Sequence, residues 1–126
     1  MVKLFLLFAA INGTLAVMLG AFGAHGLKGK ISEPLLTAFQ TSTHYQMFHV
    51  LALMGLALIL MRMSEVPIAL QVAGYLWMLG IVLFSGSLYG LALGGPGWLG
   101  PITPLGGSLL IVGWICFSVG VFKLSL

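Results

Sequence analysis

Three histidines and a small set of amide and hydroxyl side chains are the groups in this 126-residue chain that could do chemistry. Imidazoles transfer protons near neutral pH and bind metals. Here they lie close to the ends of long apolar segments, where an ionisable group marks a candidate functional position. We therefore take eight residues as a candidate polar or ligand site: His25, His44, Tyr45, Gln46, His49, Ser85, Ser87 and Tyr89.

The spacing of the histidines argues against a shared metal ion. On a helix, His44 and His49 would lie about 140° apart around the axis and about 7.5 Å apart along it, so they do not share a face. Carboxylates that usually support metal-bound histidines are also missing, because Glu33 and Glu65 are the only acids. We expect neither a metal site nor a cofactor.

Catalytic patterns are missing as well. The chain has no Asp, a single cysteine at Cys116, no Ser-His-acid set and no phosphate-binding loop. A proton-coupled transporter would need a carboxylate inside an apolar segment, and none is present. We therefore expect a protein that is not an enzyme.

The composition indicates which elements must position the polar residues. Hydrophobic residues make up 60% of the chain and charged residues 6%, whereas a soluble domain carries about a quarter of its residues as charges. Five Lys and Arg residues form no basic stripe, so nucleic acid is not an expected partner. The solvent that suits such a surface is lipid, which makes the membrane lipid the expected partner.

Four apolar segments are long enough to cross about 30 Å of hydrocarbon as helices. No charged residue lies inside them, although Arg62 and Lys123 end the second and fourth. The sequence predicts an all-α integral membrane four-helix bundle without strands, a single domain over 1–126. Its predicted spans are 4–24, 45–62, 67–93 and 104–123, with an amphipathic helical lead-in at 33–44. We expect a helix-breaking loop over 94–103, with Thr103 and Pro104 restarting the helix.

Within this architecture, two interpretations of the polar site remain open. In the first, the imidazoles hydrogen-bond to Ser85, Tyr89 or loop carbonyls and fasten the helix ends. We then expect His49 to point inward and bond to the first or third span, with His44 near the headgroups. In the second, the end of the bundle near His25, His44 and His49 holds a lipid, a quinone or a haem.

Small residues recur at helical spacing along three of the spans. Helices in lipid pack through close backbone contact across such residues, because no hydrophobic driving force acts between them. We expect these positions to face other helices, and the remaining surface leaves room for a homo-oligomer. The predicted packing positions are Gly13, Ala16, Gly20, Gly86, Gly90, Gly106, Gly113 and Gly120.

Charges outside the spans bear on the orientation of the protein. An even number of spans places both termini on one side, together with Lys3, Arg62 and Lys123. Lys28 and Lys30 lie on the other side. Because positive residues favour the cytoplasm, this difference of one charge predicts cytoplasmic termini.

Four motifs, taken together and in order, resemble a known family. They are GAFGAHGL at 20–27, YQMFH at 45–49, FSGSLY at 84–89 and ITPLGG at 102–107, with Gly113 and Trp114 following. The chain resembles the small bacterial membrane proteins of domain-of-unknown-function family 423, which also look like the eukaryotic transmembrane protein 256. The resemblance implies a multi-pass protein of the bacterial inner membrane with four spans, and it implies no biochemical activity.

These observations favour a small structural or interaction protein of the membrane, a helper or lipid-associated module. The alternative hypothesis is a membrane subunit that carries a quinone, haem or lipid at the histidine end of the bundle.

Overall fold

The protein is a bundle of four long helices in a computed structural model that describes residues 1–124. Helix α1 (Val2–Ala21) continues into a π-helical turn (Phe22–Gly26), and α2 covers Glu33–Leu60. Helix α3 (Ile68–Gly80), a second π-helical turn (Ile81–Ser85) and α4 (Gly86–Ala92) form one continuous span, and α5 covers Leu99–Phe122. Each of the four spans is long and apolar enough to cross a membrane, and residues 1–124 contain no strand. The prediction of an all-α, four-span protein is confirmed.

Helix α2 contains both the predicted lead-in and the second span. Ser32 precedes its first residue, and Pro34 lies in its first turn, where a missing N–H breaks no intrahelical bond. The helix continues for 28 residues, about 42 Å, which exceeds the thickness of the hydrocarbon core. Leu36 and Phe39 of the lead-in are buried against the bundle, so this segment packs as part of the span.

The start of α5 differs from the prediction. The helix begins at Leu99, so five of the residues expected in the loop are helical and Thr103 lies inside the helix. Pro101 is tolerated because it occupies the first turn, where backbone N–H groups have no intrahelical partner. The turn that precedes α5 depends on Gly94, whose φ of 85° lies in the left-handed region that glycine adopts without strain.

The spans pack as two hairpins that share one side. Helix α1 packs along α2, and α3 packs along α5. Helix α2 also contacts α3, α4 and the second π-helical turn, which joins the hairpins. In the described part of the chain, the backbones of α1 and α5 do not approach each other, so α1 depends mainly on α2 for its position.

Buried apolar residues form two separate clusters along the bundle axis. The larger one lies toward the termini and contains Phe5, Leu53, Leu70 and Trp77 among its members. The smaller one lies toward the loop after the first span and consists of Leu27, Leu36, Phe39 and Ala92. Along each of the first three spans, the polar residues of the candidate site fall between these two clusters.

Glycines of α5 allow it to approach the third span closely. A methyl group added to Gly106 would overlap the backbone of Leu83 and Phe84, and one added to Gly113 would lie 2.5 Å from the Trp77 ring. Gly120 would meet Leu70 in the same way. These three positions are seven residues apart and form one stripe along the contact, which fits packing by close backbone approach.

The other predicted packing positions differ in how closely they approach a neighbouring side chain. A methyl group on Gly13 would lie 3.5 Å from Val50, one on Gly20 would lie 3.3 Å from Thr43, and one on Gly90 would meet Leu99. Ala16 is buried.

Gly86 is an exception and corrects the packing prediction. It is exposed, and in the described residues no atom lies within 4 Å of where its Cβ would stand. The reason is that the backbones of α1 and α4 do not come together over residues 1–124. A cavity of about 210 Å³ lies there, lined by Leu15, Leu19 and Gly86 among others.

The close approach at Gly106 leads to a stability prediction. Gly106→Ala should lower the free energy of unfolding by about 1–3 kcal/mol, because its methyl group displaces backbone rather than a movable side chain. Gly55→Ala is the matched control, since Gly55 is exposed within α2 and its methyl group would meet no described atom within 4 Å. We expect the control to be neutral or stabilising by up to about 1 kcal/mol. Thermal unfolding in detergent measures both, and equal stability of the two variants would contradict the packing of α5.

Candidate functional site

A layer of polar side chains crosses the bundle. In the first three spans it lies between the two apolar clusters, and in the fourth it extends to Trp114, which packs on Trp77 of the larger cluster. We call this set of side chains the polar layer, and all four spans contribute to it. Its members are Asn12, Ser42, Thr43, Gln46, His49, Ser85, Ser87, Tyr89, Thr103 and Trp114.

Gln46 is the centre of the polar layer because its amide joins three spans. Its Nε2 donates to Oδ1 of Asn12 at 3.0 Å, and its Oε1 accepts from the Tyr89 hydroxyl at 2.7 Å. Asn12 in turn donates to the Phe8 carbonyl, and the Tyr89 hydroxyl lies 3.1 Å from Oγ1 of Thr43. A side chain of α2 therefore links α1 to α4.

Ser42 and Ser85 form a reciprocal pair between the second and third spans. Oγ of Ser42 donates to the Ser85 carbonyl at 2.8 Å, and Oγ of Ser85 donates to the Ser42 carbonyl at 3.0 Å. Both residues are buried. Ser85 is the last residue of the second π-helical turn. A side chain that bonds to a helix carbonyl is one of the known causes of irregular hydrogen bonding in that helix, and the Ser42 hydroxyl bonds to the Ser85 carbonyl in this way. The pair fixes the height of α2 against the third span.

A third contact joins the two spans on either side of the 93–98 loop. Oγ of Ser87 lies 2.6 Å from Oγ1 of Thr103, a distance typical of a hydrogen bond between hydroxyls. Ser87 also donates to the Phe84 carbonyl. Because Thr103 lies within α5, this contact depends on the early start of that helix.

His49 points into the bundle and is 6% exposed. Its Nδ1 lies 2.7 Å from the Tyr45 carbonyl, and its Nε2 lies 3.1 Å from Nε1 of Trp114. A carbonyl only accepts and an indole N–H only donates, which assigns the proton to Nδ1 and leaves Nε2 as the acceptor. The inward orientation agrees with the prediction, but the partner does not. His49 bonds to its own helix and to Trp114 of the fourth span rather than to the first or third span, because the ring nitrogen that faces the bundle meets the Trp114 N–H.

Aromatic rings enclose this imidazole. The Trp77 and Trp114 ring centroids lie 6.4 Å and 6.1 Å from that of His49, both in edge-to-face orientation. The Tyr45 ring stacks on the other side at 6.1 Å. Nε1 of Trp77 is fully buried and has no hydrogen-bond partner among the described residues. Two indole groups thus surround one imidazole acceptor, and Trp114 is the one that bonds to it.

The predicted site residues do not all come together. Gln46, His49, Ser85, Ser87 and Tyr89 belong to the polar layer, as the contacts above show.

The remaining three predicted residues lie outside the layer. Tyr45 is 45% exposed and contributes only its ring and its carbonyl. His25 and His44 are exposed on the outside of the bundle. The three histidines therefore do not converge, and the described residues contain no group of three His, Cys, Asp or Glu side chains that could hold a metal ion.

The sequence-based site omitted Asn12, Ser42, Thr43, Thr103 and Trp114. One pattern could have identified Ser42, because Ser42, Gln46 and His49 follow at steps of four and three and so share a helix face. Trp114 carries no comparable pattern in the sequence.

The bond between His49 and Trp114 can be tested by a double-mutant cycle. His49→Phe and Trp114→Phe should show a coupling of about 0.5–2 kcal/mol in the free energy of unfolding, because each change removes the same bond. Trp98→Phe is the control for the second substitution, since Trp98 lies exposed in the loop before α5. Combined with His49→Phe, it should give additive effects. Additivity in both cycles would show that the bond contributes nothing to stability.

The central position of Gln46 leads to a second prediction. Gln46→Leu should lower the free energy of unfolding by about 1–3 kcal/mol, because Asn12 and Tyr89 lose their partner in an apolar medium. Gln71→Leu should cost less, since Gln71 donates to one loop carbonyl, that of Val66, near the end of its span. Thermal unfolding of the two variants in detergent gives the comparison. A larger loss for Gln71→Leu would be inconsistent with Gln46 as the centre of the layer.

Comparison with known proteins identifies relatives over nearly the whole chain. The model of a family described as protein of unknown function (DUF423) matches residues 19–107. A UPF0382 membrane protein of Staphylococcus aureus (strain bovine RF122 / ET3-1) is 47% identical over 123 residues, which cover 98% of both chains. The UPF0382 membrane protein YwdK of Bacillus subtilis (strain 168) is 46% identical over 121 residues, 96% of this chain and 98% of the relative.

No solved structure matches the chain. The relatives are named as membrane proteins, and neither these names nor the family description gives an enzymatic activity. The matched region contains all of the polar layer except Asn12 and Trp114. The resemblance drawn from the four motifs is confirmed, and the chain belongs to the DUF423 family of membrane proteins of unknown function.

Proposed function

We propose that this protein is a non-catalytic structural helper of the bacterial inner membrane that works in association with membrane lipid. The observation that carries the proposal is that the polar groups of the layer form their hydrogen bonds within the protein. Its side chains bond to one another and to backbone carbonyls of neighbouring turns and helices, as Gln46, Ser42 and Ser85 illustrate. Polar groups used in this way fasten helices in an apolar medium.

The same bonds argue against a catalytic role for the layer. A nucleophilic serine needs a base within hydrogen-bond reach of its hydroxyl. Ser42 and Ser85 donate to carbonyls, and both nitrogens of His49 are occupied by Tyr45 and Trp114. Within the described residues, these hydroxyls are therefore paired with acceptors that cannot take up a proton at neutral pH.

The outer surface supports association with lipid. Large apolar side chains point outward from every span, including Val17, Phe48, Val82 and Ile111. A groove also runs between the first and third spans, where two cavities of about 400 and 210 Å³ share Val82. In a bilayer, acyl chains are the material available to fill a groove that opens sideways between helices.

The orientation and location belong to the same proposal. Lys3, Arg62 and Lys123 stand at the end of the bundle that holds the termini, and Lys28 and Lys30 at the other. The positive-inside rule favours cytoplasmic termini on this distribution. The membrane of this proposal is the inner (plasma) membrane of a bacterium.

Native mass spectrometry after mild extraction tests the proposal. We expect the full chain to retain phospholipid and no other small molecule, and the same spectra report whether it is a homo-oligomer. His49→Ala should lower stability without changing what is retained, because His49 faces Trp114 rather than a ligand. A stoichiometric quinone or haem that is lost in His49→Ala would overturn the proposal. So would a wild-type protein that retains no phospholipid at all.

A further inference from the structure

A cleft opens to the outside between the first two spans at the end near their connecting loop. We call it the loop-end cleft, and its volume is about 310 Å³. The first span lines it with Gly20, Gly23 and Ala24, the second lines it with Gln40 and His44, and the fully buried Phe39 lies behind them. Apart from Thr43 at its edge, it lies outside the polar layer.

The depth of the cleft follows from the lengths of the helices. Helix α2 ends at Leu60, two residues before Arg62. Twenty residues back along α2 is about 30 Å, the thickness of the hydrocarbon core, and this distance reaches Gln40. Twenty residues counted from Lys3 along the first span likewise reach Gly23. The mouth of the cleft therefore lies where lipid esters and phosphates lie, and Gly20 lies deeper, among the acyl chains.

Gln40 at the mouth and His44 one turn deeper have hydrogen-bonding groups to offer, and side chains on a helix lean toward its N-terminus, which for α2 is toward the mouth. Gln40 and His44 are exposed, and their side chains make no hydrogen bond to any residue in the range 1–124. An amide and an imidazole can both donate to ester or phosphate oxygens. Thr43, by contrast, already bonds to the Phe39 carbonyl and contacts Tyr89.

The charge at this end of the bundle is positive. Lys28 and Lys30 lie in the loop that connects the two spans forming the cleft, and both are exposed. Glu33 is the one acid that the sequence places on this side of the bundle. Basic residues at the membrane surface attract anionic lipid headgroups, and each adds a favourable increment near the surface.

We propose that the loop-end cleft binds one anionic phospholipid. Its headgroup lies beside Lys28 and Lys30, its ester oxygens accept hydrogen bonds from Gln40 and His44, and one acyl chain lies against Gly20 and Ala24. The inference rests on the lipid association proposed above and adds the class of lipid and the place where it binds.

The experiment compares two lipids that differ only in their headgroup. The full-length protein is titrated in detergent with phosphatidylglycerol or with phosphatidylcholine of the same acyl chains, and retention is measured by native mass spectrometry. The wild type should retain phosphatidylglycerol at least several-fold better. Replacing Lys28 and Lys30 with Ala should reduce that retention about five-fold per lysine and leave phosphatidylcholine unchanged. The matched control replaces Lys3 and Lys123, two exposed lysines at the other end, and should have no effect.

Two further variants test the cleft itself. Ala24 lines the cleft and is exposed, so Ala24→Leu fills it from outside the bundle core and should reduce retention of the tightly held lipid. Gln40→Leu should weaken phosphatidylglycerol binding by removing one donor. Unchanged thermal stability shows that the variants fold.

Each outcome decides between the proposals. Equal retention of the two lipids, an equal loss in the lysine control, or retention unaffected by Ala24→Leu would overturn the loop-end cleft and leave the lipid-associated function standing. Retention of no phospholipid by the wild type would overturn both.

Discussion

The bundle depends on one constraint, which is that a polar group between helices in lipid must find its partner inside the protein. Gln46 meets this constraint for three spans at once, through Asn12 on one side and Tyr89 on the other. An isolated hydrogen bond between helices in a membrane contributes about 0.6 kcal/mol of stability on average. The layer therefore fixes the relative positions of the helices as much as it stabilises the bundle. A sliding or rotating helix would break several of these bonds together, and the layer therefore selects one register for the bundle.

The position of the polar layer explains why the loosely packed parts of the bundle stay together. Helix α1 packs mainly on α2 and barely approaches the third span. Near the termini its link to the third span is the packing of Phe5 against Gly74 and Tyr75. Farther along, the link runs through the hydrogen bonds of Asn12, Gln46 and Tyr89. The groove beside Gly86 can remain open because these bonds hold α1 in place. By contrast, α5 needs few such bonds, since its glycine stripe packs directly on α3 and the second π-helical turn.

The four spans could be predicted from the sequence because charged residues are excluded from the hydrocarbon core. Their positions therefore mark where each span begins and ends. The start of α5 could not be predicted, since Pro101 reads as a helix breaker although a first turn accepts it. The sequence places His25, His44 and His49 toward the same face of the membrane, but position along a span does not say which side of a helix faces inward. Trp114 could not be foreseen either, because its bond to His49 depends on how two non-adjacent helices are brought together.

The π-helical turn at Ile81–Ser85 has a consequence for how this chain can vary. Such a turn holds one residue more than a regular helix of the same shape, and each residue rotates the following segment by about 100°. If the same five residues wound as a regular α-helix, the following segment would turn by about one residue's rotation and would carry Ser87 and Tyr89 away from Thr103 and Gln46. The wider turn therefore absorbs one residue while both halves of the third span face the bundle, and a variant that lacks one residue within the turn would keep both faces.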